Sequence, residues 1–279
     1  MAQRKLASHK PQSYGDYLKL SDLLRLQQSV SEPPQHDELL FVVAHQTYEL
    51  WFKLMLSELE ASIDFMATGD AREASRLVKR VVAVLKVLTQ QLEVLETMRP
   101  GDFAKFRDSL RPASGFQSLQ FREIEFISGQ KDQRFLEMHK DDPRALRVLE
   151  RRMSSPSLWD GFCRLLVQRG LLTNRTAGDW PVTKVGGAVQ KAFKDSRQAD
   201  VAELADSLLE YDEAFWLWRN HHVGMVERVI GRNVGTGAAQ VKEVMGAYSF
   251  RRSGVAYLKT TLRRRFFPAL WAARTKMAT

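Results

Sequence analysis

Cysteine is almost missing: Cys163 is the only one among 279 residues. A lone thiol excludes an intramolecular disulfide and fits a reducing compartment, so a cytoplasmic location is expected. Long apolar runs are also lacking, since no stretch approaches the ~18 residues that a membrane-spanning helix needs. The opening segment carries Arg4, Lys5 and Lys10 but no apolar core of a leader, which speaks against secretion. There is no phosphate-binding glycine loop, no dinucleotide fingerprint, no H-E-x-x-H, no G-x-S-x-G, no internal repeat and no convincing strand-like alternation. What these absences leave is a mostly helical chain, 44% apolar, with enough residues to bury one large core.

The net charge of +9 raises the question of nucleic acid, and the placement of the charge answers it. The densest cluster is Arg251, Arg252, Lys259, Arg263, Arg264 and Arg265, yet Tyr257, Leu258, Leu262, Phe266 and Phe267 interleave it at helical spacing. That pattern describes the solvated face of an amphipathic helix. Neither zinc-finger spacing nor a basic region leading into heptads is present, so no nucleic-acid partner and no membrane partner are expected.

The strongest periodic signal runs from Val201 to Ile230. Leu204, Leu208, Tyr211, Phe215, Trp218, His222, Val226 and Val229 step by threes and fours, the spacing that keeps side chains on one helix face. His222 therefore points where the aromatics point, while His221 is rotated by about 100° and cannot converge with it on one ion. An imidazole on such a face has two readings, a satisfied core histidine or the axial ligand of a flat apolar cofactor.

A second long helix is expected from Glu38 to Ala67, with Asp37 as its N-cap and a stop at Gly69-Asp70. On it Phe41 and His45 share a face, followed by Tyr48 and Phe52. His45 fits either a base beside an aromatic substrate or an ordinary core histidine. A third helix, Arg72 to Met98, carries Leu77, Val81, Leu85, Leu88, Leu92 and Leu95 in near-heptad order and reads as scaffold. Asp102 is expected to cap a short helix bearing Phe103 and Arg107, where an arginine beside a ring suits either a carboxylate grip or a surface ion pair. An amphipathic run from Phe116 to Ile127 follows a turn at Ser114-Gly115, and two helical patterns lie between Asp142 and Gly170. The stretch Leu172 to Gly187 reads as loop. A final helix from Val255 to Arg274 is expected to kink or break at Pro268.

Four blocks together carry a resemblance: Phe41 to Lys53 (FVVAHQTYELWFK), Ser114 to Arg122 (SGFQSLQFR), Trp218 to Val223 (WRNHHV) and Gly235-Thr236-Gly237. In this order they closely resemble the tryptophan 2,3-dioxygenase family, over nearly the whole length from Tyr14 to Arg274. The resemblance implies an all-α helical bundle holding haem b, usually a homotetramer, that adds dioxygen across the indole C2–C3 bond of L-tryptophan to give N-formylkynurenine. It implies His222 as axial ligand of the haem iron and His45 as the distal histidine that meets the indole N–H. Phe41 and Phe103 would wall the pocket, Arg107 would pair with the substrate carboxylate, and Thr236 would sit near its ammonium group. Ser114 and Gly115 would line the haem. Tyr14, Tyr17 and Leu18 would belong to an N-terminal arm, residues 1–35, reaching a neighbouring subunit's pocket, and residues 36–279 would form one catalytic domain.

The chain also departs from the family pattern. After Gly237 it reads Ala238-Ala239-Gln240 where a further glycine- and serine-rich run is usual, and an insertion near 238–252 precedes Ser253-Gly254. Leu92 stands where an aromatic is common and His221 where arginine is frequent. Two other outcomes follow: a haem monooxygenase that turns a substituted tryptophan into a 2-oxindole, or a haem sensor without turnover.

Overall fold

The computed structural model describes residues 13–173, 180–230 and 254–277, with the side chains of 254, 256 and 257 left aside. Among these residues there is no strand, as the absence of alternating patterns leads one to expect. Two short helices, α1 (Tyr14–Leu18) and α2 (Leu20–Leu23), lead to α3 (His36–Thr68), α4 (Ala71–Leu95) and α5 (Pro100–Arg107). Then come α6 (Leu119–Ile127), α7 (Arg134–Met138), α8 (Pro143–Ser154), α9 (Leu158–Gln168), α10 (Val182–Lys194) and α11 (Ala199–Ile230). The chain closes with α12 (Gly254–Thr261) and α13 (Pro268–Met277). No described helix is long and apolar enough to cross a membrane.

The core is α4 packed between α3 and α11. Val78, Val81, Leu85, Leu88 and Leu92 are fully buried along α4, each such side chain contributing about 1.5–3 kcal/mol relative to exposure. Leu204, Leu208, Tyr211 and Phe215 answer from the seam of α11. A hydroxyl pair, Ser75 and Ser207 at 2.7 Å, crosses this dry interface and satisfies both groups. Cys163 lies fully buried on α9, and burial pushes its thiol well above the usual range.

Helix ends correct the sequence reading in several places. Gly69 does end α3, in the left-handed region at φ 86°, a conformation that glycine adopts without steric cost. Its N-cap, however, is Gln35 rather than Asp37, and Glu38 in the first turn reaches back to accept the backbone N–H groups of Val30 and Ser31, ordering the entering chain. Asp70 caps α4 by accepting from the Glu73 N–H. Asp102 does not cap α5. Arg99 holds that position with Pro100 next, and Asp102 instead pairs with Arg99 and Lys105. The stretch expected to be loop up to Gly187 contains the start of α10, whose Val185, Ala188, Val189 and Ala192 are buried. Gly186 inside it packs against α13, with the Ala269 carbonyl 3.6 Å from where a Cβ would stand, an ordinary contact distance. The run from Val255 to Arg274 does break, as expected, into two helices, and Pro268 begins the second.

A carboxylate fixes that final segment. Asp212, buried on α11, accepts the N–H groups of Phe266 (3.0 Å) and Phe267 (3.2 Å) and the Trp271 indole N–H (2.8 Å).

Candidate active site

A cavity of about 320 Å³ opens between α3, α5, the 114–118 turn, α6, α11 and α12. Most residues singled out in the sequence converge on it. Phe41, His45, Phe103, Arg107, Ser114, Gly115 and His222 all line its wall. Thr236 and the insertion near 238–252 lie outside the described residues. Tyr14, Tyr17 and Leu18 are not among the lining residues of this cavity; they are exposed on α1, the two tyrosines at 75% and 70%.

His222 stands on the aromatic seam of α11. Its ring stacks on Trp218 with centroids 5.3 Å apart and planes at 11°, and no described residue gives it a hydrogen bond. It is half-buried and lines the cavity. Burial, and then the neighbouring His45, push its pKa down to about 4, so the imidazole is neutral, the form that binds a metal. His221 turns away, as the helix geometry requires, and its Nε2 lies 3.1 Å from Glu96.

His45 lines the same cavity from α3, where its side chain keeps exposed surface. Its Nδ1 lies 2.7 Å from the Phe41 carbonyl oxygen. A carbonyl only accepts, so Nδ1 carries the proton and Nε2 keeps its lone pair. Burial lowers the pKa of His45, with the Phe41 carbonyl and Glu49 acting the other way. Its ring lies 4.0 Å from that of Phe41, which in turn meets Phe103 and Phe106 at 5.8 Å. These rings form a flat-sided apolar corner beside one acceptor nitrogen. Arg107, half-buried at the end of α5, brings a guanidinium to the same cavity.

The turn is built by its own sequence. The Ser114 hydroxyl accepts from the Phe116 N–H while the Gln117 side chain accepts from the Ser114 N–H, a reciprocal cap. Glu49, one turn beyond His45, then grips the exit of this turn: its carboxylate accepts the Ser118 hydroxyl at 2.6 Å and the Gln120 amide at 2.8 Å. Sequence reading assigned Glu49 no role, because its partners are 69 and 71 residues away. It also missed the inner wall, where Glu125 lies between Arg122 and Arg219. All three are buried, and two guanidiniums against one carboxylate leave that wall cationic. Arg122 Nε is buried without a hydrogen-bond partner.

Among the described residues no three His, Cys, Asp or Glu side chains gather as a metal site.

The family description for tryptophan 2,3-dioxygenase matches residues 2–156 and 182–277. The tryptophan 2,3-dioxygenase of Nocardioides sp. (strain ATCC BAA-499 / JS614) is 42% identical over 271 residues, covering 95% of this chain and 94% of that protein. Those of Caulobacter vibrioides and Herpetosiphon aurantiacus are 40% and 41% identical, each covering 95% of this chain and 98% of the relative.

Proposed function

Because the chain belongs to the tryptophan 2,3-dioxygenase family, we propose that it is a haem-dependent oxidoreductase that oxygenates L-tryptophan. The indole C2–C3 bond is cleaved and both atoms of dioxygen enter the product, N-formylkynurenine. The observation that carries the reading to this chain is the convergence, in one cavity, of a neutral unbonded imidazole, an aromatic corner beside an acceptor nitrogen, and a guanidinium.

Haem b suits the residues present. His222 would hold the iron, Ser114 and Gly115 would line the ring, and the cationic wall of Arg122 and Arg219 suits the cofactor's carboxylates. When bound, the haem supplies the activation of dioxygen.

The chain's own groups bind and orient. The indole N–H donates to His45 Nε2, the only ring nitrogen of His45 left to accept. Phe41 and Phe103 wall the indole on one side and keep water from it. Arg107 takes the carboxylate through two parallel N–H donors. Holding both ends of the substrate this way converts binding into orientation. Thr236 would meet the ammonium group. Tyr14, Tyr17 and Leu18, exposed on α1, would reach the pocket of a neighbouring copy in a homotetramer, with residues 1–35 as that arm and 36–279 as the catalytic domain. The enzyme would work in the cytoplasm.

The deciding experiment is incubation of the reduced, haem-loaded protein with L-tryptophan under isotopically labelled dioxygen, followed by the product's mass. Two labelled atoms are expected. One labelled atom, from tryptophan or a methylated analogue, would mean mono-oxygenation to a 2-oxindole. Bound haem without any product would leave a sensor.

A further inference from the structure

Polar contacts leave the ring of His222 free to turn, since no described residue donates to it or accepts from it. Its plane is set instead by the Trp218 indole, one helical turn earlier and almost parallel to it. What, then, holds the indole?

Trp218 is buried among rings, with Phe121 at 5.6 Å, Phe215 at 5.8 Å and the edge-on ring of Tyr48 at 6.1 Å. One further contact is polar and directional. The Trp218 indole N–H donates to the Tyr48 hydroxyl at 3.4 Å, and the Tyr48 hydroxyl donates to the Leu88 carbonyl at 2.7 Å. The direction of this chain is forced: an indole nitrogen only donates, a carbonyl only accepts, and a phenol has one proton to give. Tyr48 must accept from Trp218 because its own proton is committed to Leu88. Burial pushes the Tyr48 pKa up to about 12, so that proton stays in place at any working pH.

We propose that Tyr48 is a positioning residue for His222, acting through Trp218 to fix the plane of the axial imidazole. The relay joins three helices. Tyr48 stands on α3 three residues after His45, Leu88 on the central α4, and Trp218 on α11 four residues before His222. The two sides of the cavity are thereby tied to one scaffold carbonyl. The imidazole plane governs overlap with the metal it ligates, so a residue that never touches the iron acts on the iron's electronic state. This inference rests on the assignment of His222 as axial ligand, and its first readout is independent of the cofactor.

The test uses the full-length protein and the variants Tyr48→Phe, Trp218→Phe and the double variant. Before haem is added, selectively labelled histidine lets the ring carbon of His222 be followed by NMR, identified by its loss in His222→Ala. Stacking on an indole shifts that signal through ring current, so Tyr48→Phe is expected to move or broaden it while the other histidine signals stay. After haem loading, resonance Raman of the ferrous protein is expected to show the iron–imidazole stretch displaced in Tyr48→Phe, with haem content unchanged. The reduction potential is expected to move with it. Trp218→Phe, which keeps a ring but loses the N–H, should give a similar displacement, and the double variant no more than the larger single one. An unmoved His222 signal in Tyr48→Phe overturns the proposal. So does an unchanged stretch and potential, or fully additive displacements in the double variant. If wild-type protein forms no iron–imidazole band at all, the haem assignment fails, and the NMR readout still decides whether Tyr48 orients His222.

Discussion

The Nδ1 of His45 lies 2.7 Å from the carbonyl oxygen of Phe41, four residues earlier on the same helix, and that contact decides which ring nitrogen is left to accept. The helix makes the choice, because that carbonyl lies one turn before the ring it holds.

The first prediction follows from the free Nε2. His45→Ala removes one acceptor for the indole N–H and is expected to lower kcat/KM for tryptophan about 10- to 100-fold, the size of one buried hydrogen bond. Haem content should not change. 1-Methyltryptophan has no N–H to offer, so with it the wild type and the variant should converge. Steady-state kinetics with both substrates checks this, and an equal loss with both would remove the hydrogen bond from the account.

Arg107 is tested from the other end of the substrate. Arg107→Leu is expected to cost about 1.5–3 kcal/mol of binding to a carboxylate, or roughly 10- to 150-fold in kcat/KM. Arg107→Lys should rescue little, because an ammonium offers no planar pair of donors. Tryptamine, which lacks the carboxylate, should not distinguish the three proteins.

Acid pH has two consequences with one sign. Burial lowers the His45 pKa below the ordinary 6.5, and the active form is neutral. Activity should be flat near neutrality and fall only as the pH drops through a value below 6.5, which a pH profile of kcat/KM will show. For stability, His139 is the cleaner probe. Burial, and then the charge of Arg122, lower its pKa, with Asp142 opposing. Its folded-state pKa lies below the unfolded value, so the unfolded chain binds more protons between the two. Stability should therefore decline as the pH falls below about 6.5 and stop declining below the folded pKa. His139→Leu should flatten this dependence in urea titrations at several pH values.

Asp212 carries the fourth prediction. Asp212→Ala leaves three donors, two of them backbone, without their acceptor in a buried place, and is expected to destabilise the protein by about 3 kcal/mol or more. The midpoint of urea unfolding reads the effect. Activity of the surviving folded fraction should change little, since α13 lies outside the cavity wall.

How much of this was legible depends on the range of the contact involved. The seam from Leu204 to Val229 and the leucines of α4 are local patterns, and the helices they predict are there within a few residues. The Phe41–His45 and Phe103–Arg107 pairs were visible for the same reason, as spacings of four. The start of α10 was hidden, because Gly186-Gly187 reads as a breaker until Ala269 is seen packed against it. Asp37 and Asp102 have the right chemistry for caps, but the neighbouring backbone was already held by Glu38 and led by Pro100. Glu49, Tyr48 and the Arg122–Glu125–Arg219 group were out of reach, since their partners come together only on folding. Thr236 belongs to the glycine-flanked stretch that lies outside the described residues.

The isolation of Cys163 gives the experimenter an internal clock. A thiol with no accessible surface and a pKa held high by burial cannot meet an aqueous alkylating reagent while the chain is folded. Alkylation of the native protein therefore counts openings of the core, one per molecule and with no second cysteine to confuse the count. The same silence makes the protein a ready background for single-site labelling, since a cysteine introduced on the surface would be the only one to react.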